Sequence, residues 1–155
     1  MWPALVEDVL LVVKDVCERN SVDISRLYIT GLSMGAFGAW SLAVSQPKMF
    51  AAIVPICGGF IGARVLVETS RTQMLTLASS LVMENRKALK KCERMPAWLF
   101  YAGNDRIVPP ICVEFVYEAL GGTSNENLHK TAFRNAGHAC WGKVYDDLDM
   151  KETTH

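Results

Sequence analysis

The chain carries no excess of either charge. Its 155 residues hold 16 Lys and Arg against 16 Asp and Glu. Without a basic surplus there is no electrostatic footprint for nucleic acid, and without an acidic one there is no solvating tail. Signals for cysteine pairing are missing too. Cys17, Cys57, Cys92, Cys112 and Cys140 are an odd number, none in a CxxC, and none spaced with histidine as zinc ligands are. The pattern argues against a disulfide scaffold and a structural metal, and it implies no cofactor. It reads as buried thiols in a reducing, cytoplasmic compartment.

A membrane span is absent as well. The longest uncharged run, Leu27–Pro47, has 21 residues but is broken by Thr30, Ser33, Ser41 and by Gly31, Gly35 and Gly38. A buried strand followed by a buried helix explains it better than a bilayer crossing of about 20 residues. The first residues have no basic region, and Glu7 and Asp8 interrupt their apolar stretch, which is not the pattern of a signal peptide. No repeat, low-complexity segment or linker divides the sequence, so it reads as a single domain over 1–155. Half of the residues are apolar, enough for one core.

What is present is alternation. Leu5, Val6, Val9, Val12, Val13 and Val16 recur at helical spacing from about Pro3 to Arg19, with Pro in the first turn. A polar turn over Asn20–Ser25 follows. Arg26–Thr30 reads as a buried strand stopped by Gly31, and Met34–Ser45 as a helix with Phe37, Trp40 and Val44 on one stripe. Ala51–Cys57 is a second apolar run, weakened as a strand by Pro55. Ala63–Arg94 keeps helical spacing at Met74, Leu75, Ala78, Leu81, Val82 and Leu89. The Arg86, Lys87, Lys90 and Lys91 cluster reads as a solvated last turn. Ala97–Ala102 is a third strand, Pro110–Leu120 a helix stopped by Gly121, Leu128–Arg134 a fourth strand, and Lys143–Asp149 a short helix. Strands alternating with helices predict an α/β fold, a parallel sheet with helices on both faces.

Gly31-Leu32-Ser33-Met34-Gly35 fits G-x-S-x-G, with a strand leading in and a helix leading out. That context is what a nucleophile elbow requires. Its glycines allow a tight turn around a strained serine, and the turn aims the Met34 N–H at an oxyanion beside a helix N-terminus. A structural turn with an incidental serine is the plain alternative. A serine needs a base. His155 is the last residue, and His129 starts a strand and reads as structural. His138 follows Asn135-Ala136-Gly137 beyond the fourth strand, at the sheet edge where functional groups gather. Asp105, just past the third strand, is the matching acid. Asp146, Asp147 and Asp149 read as exposed helix charges. The order Ser33, Asp105, His138 is the α/β-hydrolase order.

Arg26–Gly38, Phe50–Gly59, Gly103–Pro109 and Gly137–Trp141 together resemble the esterase-like "predicted peptidase" branch of the α/β-hydrolases. That branch is close to dienelactone hydrolases, phospholipase/carboxylesterases and polyhydroxybutyrate depolymerase-like esterases. The resemblance covers most of the chain. It implies Ser33 as nucleophile, Asp105 as acid and His138 as base. Three departures stand out. The stretch 60–95 is longer than the corresponding connection and is a candidate helical cap. Tyr101 stands where relatives often carry histidine, and reads as a core aromatic. The strands that usually precede the elbow strand, with the loop giving a second oxyanion N–H, have no counterpart. The expected fold is therefore a partial α/β-hydrolase sandwich of about four strands.

The function expected is a serine-dependent carboxylesterase acting on a small-molecule ester or thioester. Leu32 and Trp141 are candidate substrate contacts. The exposed edge strand is a candidate for homodimerisation. A catalytically impaired hydrolase acting as a binding module, or a serine peptidase, are the alternatives.

Overall fold

The computed structural model describes residues 2–62 and 77–146. Helix α1 spans Trp2–Arg19, strand β1 Tyr28–Leu32, α2 Met34–Ser45, β2 Ala52–Ile56, α3 Leu77–Leu89, β3 Ala97–Ala102, α4 Ile111–Ala119, β4 Leu128–Phe133 and α5 Gly142–Tyr145. The four strands form one parallel sheet in the order β1-β2-β3-β4. Each connection is a crossover, as parallel pairing requires. The candidate cap over 60–95 lies partly outside the described residues, as do Met74 and Leu75. His155, Asp147 and Asp149 also lie outside them.

The pleat divides the core in two. Ile53, Ala97, Leu99 and Leu128 point to one face, where α2, α3 and α4 bury Trp40, Leu89, Val113 and Val116 against them. Ile56, Phe100 and Ala102 point to the other, against Cys57, Cys140 and Val144. Helix α5 is the only described helix with a residue in that second cluster, so the helical cover of the two faces is unequal. Burying a large aliphatic or aromatic side chain stabilises by about 1.5–3 kcal/mol, so the first face carries most of the fold.

One expectation is corrected. The stripe that α1 buries is Val6, Val9, Leu10, Val13 and Cys17, whereas Leu5, Val12 and Val16 are exposed. Helix α1 packs chiefly on α2, and one neighbour covers a narrower arc than the apolar arc the sequence offers. Cys17 is accordingly half-buried, unlike the other four cysteines.

The run Ala51–Cys57 does form a strand despite Pro55, over Ala52–Ile56. The strand is interior, between β1 and β3. The Ile53 N–H donates to the Pro96 carbonyl at 3.0 Å and the Cys57 N–H to the Phe100 carbonyl at 2.8 Å. By alternation, the nitrogen of Pro55 also faces β3. The β2–β3 register pairs Ile53 with Ala97 and Ile56 with Phe100 and skips the residues between. One ladder position is given up, and the strand survives in the middle of the sheet.

Candidate active site

Ser33 follows the last residue of β1 and precedes the first of α2. Its backbone has φ 52° and ψ −119°, a conformation a non-glycine residue rarely adopts. The turn is held from outside. The Ser33 N–H donates to the Ile56 carbonyl at 2.8 Å, and the Ala36 N–H donates to the Ser33 carbonyl at 3.0 Å. Of the two motif glycines only Gly31 is demanded by space, because a Cβ there would collide with the Gly35 carbonyl. A Cβ at Gly35 would meet nothing within 4 Å. The close strand–helix packing expected of both glycines therefore belongs to one. Gly58 is the second glycine the elbow needs: a Cβ there would lie 2.5 Å from the Ala36 Cβ and 2.6 Å from the Ser33 carbonyl oxygen.

The sheet brings Ser33, His138 and Asp105 together. His138 Nε2 lies 2.8 Å from Ser33 Oγ, and His138 Nδ1 lies 2.7 Å from Asp105 Oδ2. An ionised carboxylate only accepts, so Nδ1 carries the proton and Nε2 of the neutral ring accepts the Ser33 O–H. The Asp105 side chain is 1% exposed. Its other oxygen accepts from the Ile107 and Val108 N–H groups at 2.9 and 2.8 Å. A charge buried this deeply is stable only when its lone pairs are satisfied, and these three donors do that. The Asn104 N–H donates to the Ala136 carbonyl at 3.1 Å, so the acid loop and the histidine loop are joined by backbone.

The other predicted residues lie around this line. The Met34 side chain is exposed, and its N–H belongs to the first turn of α2, where a helix presents donors without internal partners. Leu32 is 38% exposed at the end of β1. The Trp141 ring stands edge-on to the His138 imidazole, with centroids 5.7 Å apart and planes at 86°. His129 is exposed on β4, where it meets the edge of Trp98. Tyr101 is half-buried, and its hydroxyl donates to Glu114 at 2.8 Å. Burial and that carboxylate push its phenol up to about 12.

Sequence reasoning missed three contributors. Gly58 was visible only as a strand terminator. The N–H groups of Ile107 and Val108 carry no side-chain signature. Cys57 and Cys140 meet beside His138, with their Sγ atoms 2.7 Å apart, although 83 residues separate them. A cavity of about 280 Å³ opens elsewhere, lined by Val54, Pro96, Trp98, Asn127 and His129 among others. No triad residue lines it. Among the described residues no cluster of His, Cys, Asp and Glu could hold a metal ion, and no helix is long and apolar enough to cross a membrane.

Known proteins share this arrangement of elements. A thermostable esterase superposes with a TM-score of 0.62 at 24% identity, over 90% of this chain and 30% of its own. The acylaminoacyl peptidase of Pyrococcus horikoshii gives 0.66 at 18% identity, over 89% of this chain and 24% of its own. A monoacylglycerol lipase of Paleococcus ferrophilus gives 0.59 at 16% identity, over 92% and 72%. These similarities establish the α/β-hydrolase fold. In sequence, poly(3-hydroxyalkanoate) depolymerase C of Paucimonas lemoignei is 49% identical over 41 residues, 26% of this chain and 10% of that protein. The chain thus spans only a fraction of the length of several relatives. The model of the prolyl oligopeptidase family matches residues 4–153, nearly the whole sequence. The chain belongs to the prolyl oligopeptidase family, within the α/β-hydrolase superfamily.

Proposed function

We propose that the protein is a serine hydrolase of the carboxylesterase type, cleaving a small ester or thioester through an acyl-enzyme on Ser33. One observation carries this reading: the unbroken line Ser33–His138–Asp105, with contacts of 2.8 and 2.7 Å. His138 Nε2 takes the proton as Ser33 Oγ attacks the carbonyl carbon. Asp105 stabilises the imidazolium that forms. The Met34 N–H, at the positive end of α2, donates to the developing oxyanion. His138 then protonates the leaving alcohol or thiol, and a water activated by the same imidazole releases the acyl group. Leu32 and Trp141 flank this line and would contact the substrate.

Turnover of a short-chain p-nitrophenyl ester tests the proposal. The wild-type chain hydrolyses it, Ser33→Ala does not, and a fluorophosphonate labels Ser33 in the wild type alone. Equal rates for the two proteins would sink the reading. Labelling without turnover would favour a binding role for a primed but inactive site. A serine peptidase is the second reading, favoured by the family match and by the fold shared with an acylaminoacyl peptidase. Faster cleavage of a peptidyl p-nitroanilide than of the ester would replace the first reading with it.

The same proposal treats residues 1–155 as one unit, in which the described helix of 60–95, α3, packs on the sheet through Leu89. It pairs two copies along the outer edge of β1. That strand has a single partner among the described residues, and its Tyr28 is 68% exposed.

A further inference from the structure

We propose that Cys57 and Cys140 are an oxidative modification site, where the two thiols join as a disulfide that straps the histidine loop to the end of β2. Their Sγ atoms are 2.7 Å apart, and a shift of about 0.65 Å closes them to the roughly 2.05 Å of a covalent bond. Both residues are 1% exposed, packed in the cluster of Ile56, Phe100, Ala102 and Val144.

The backbone aims the two side chains at each other. Cys57 sits at φ 50°, an unusual conformation for a residue with a side chain. It is held there by its N–H bond to the Phe100 carbonyl. Cys140 is pinned by its N–H bond to the His138 carbonyl at 2.9 Å, and its own carbonyl accepts from the Lys143 N–H at 3.1 Å. Neither side chain has to search for the other. Burial, with Cys140 alongside, pushes the Cys57 thiol up to about 12, so Cys57 stays a thiol in the folded structure. As thiols they offer one another only a weak hydrogen bond. As a disulfide they remove both S–H groups from an apolar cluster.

The oxidant is a small disulfide of the glutathione class, R–S–S–R, acting while the loop is open. The Cys140 thiolate attacks one sulfur of the reagent, breaks its S–S bond and expels RS⁻, leaving Cys140–S–S–R. The Cys57 thiolate then attacks Cys140 Sγ, forms the Cys57–Cys140 bond and expels the second RS⁻. The two protons given up by the cysteines end on the two released thiolates. The cysteines lose two electrons, and the reagent gains them as two R–SH.

The test is covalent and stands whether or not Ser33 acts as a nucleophile. The full chain is equilibrated with glutathione disulfide in sub-denaturing urea, then denatured and alkylated. Its thiols are counted by mass, and its peptides are mapped without reduction. The expected count falls from five to three, with Cys57 and Cys140 in one cross-linked peptide. The oxidised protein melts several degrees above the reduced one. Cys57→Ala and Cys140→Ala keep all four of their thiols and show no such difference. Five thiols after treatment would overturn the proposal, and so would a cross-link that uses Cys17, Cys92 or Cys112 in place of this pair.

Discussion

Ser33 is held in its strained backbone by neighbours that leave no room, and the room differs sharply between the two motif glycines. A methyl at Gly31 runs into the Gly35 carbonyl, whereas one at Gly35 meets open space inside the first turn of α2. Gly31→Ala is therefore expected to lower the melting temperature and to abolish fluorophosphonate labelling. Gly35→Ala is expected to keep labelling and to gain up to about 1 kcal/mol, since alanine is the better helix former. Thermal melting and labelling of both variants decide between the two. A second residue-scale expectation concerns alkali. Burial pushes the Cys92 thiol up to about 11, from an ordinary 9.0. The unfolded chain loses that proton near pH 9, while the folded chain keeps it to about 11. The stabilisation is thus complete below pH 9 and is lost as pH rises to 11, by at most about 1.4 kcal/mol per pH unit. Melting curves across pH 8–11 should show this fall, with a shallower slope in Cys92→Ala. The sequence made Ser33, Asp105 and His138 legible because each follows a strand and carries its chemistry in its side chain. Gly58, the N–H donors to Asp105 and the Cys57–Cys140 contact were not legible. They act through backbone or through a partner far away in sequence.

Among the elements, β3 and α2 were readable to the residue, because their apolar runs are bounded by glycine, proline or polar residues. The register of β1 was not: it runs through Gly31 to Leu32, two residues beyond the expected stop. Glycine ends a run when the chain must turn there, but here the turn is two residues later, at Ser33. Helix α1 was legible as a helix, yet periodicity reports the width of an apolar stripe and not the width of its neighbour. Pro55 weakened β2 as a strand, yet the strand forms, because the ring gives up one bond towards β3 while the ladder on either side of it remains. Replacing it makes that cost measurable. Pro55→Val supplies an N–H on the β3 side, in line with the carbonyl of Trp98, at a position that is fully buried. A net gain of about 0.5–1.5 kcal/mol is expected in urea denaturation, with slowed exchange of the new amide. A loss would show that packing of the pyrrolidine ring outweighs the bond.

At the scale of the whole molecule, exposed apolar residues are spread from Leu5 to Tyr145, and several fall in the first 28 residues. Leu5, Leu11, Val12 and Val16 lie along α1, and Ile24 and Tyr28 lie close by in the chain, at and before the free edge of β1. Exposed apolar residues at a strand edge with no partner among the described residues invite association. Sedimentation of the wild-type chain is expected to show a dimer, and Tyr28→Lys with Leu11→Lys to shift it towards monomer. A wild-type chain that sediments as a monomer at all concentrations would remove the edge-pairing proposal.

The skipped rung at Pro55 has a consequence for how such changes will be felt. It runs along the seam between two half-sheets: β1 and β2 bear the serine, while β3 and β4 bear the acid and the histidine. Acid and histidine travel together, because the Asn104–Ala136 bond ties their loops. Besides the backbone bonds of Ile53 to Pro96 and Cys57 to Phe100, three side-chain contacts bridge the gap among the described residues: Ser33 to His138, the Tyr145 hydroxyl to Thr30 at 2.7 Å, and Cys57 to Cys140. The Ser33–His138 distance is thus a gauge of how firmly two halves are latched. A change that loosens the latch will lengthen that distance before any strand is lost.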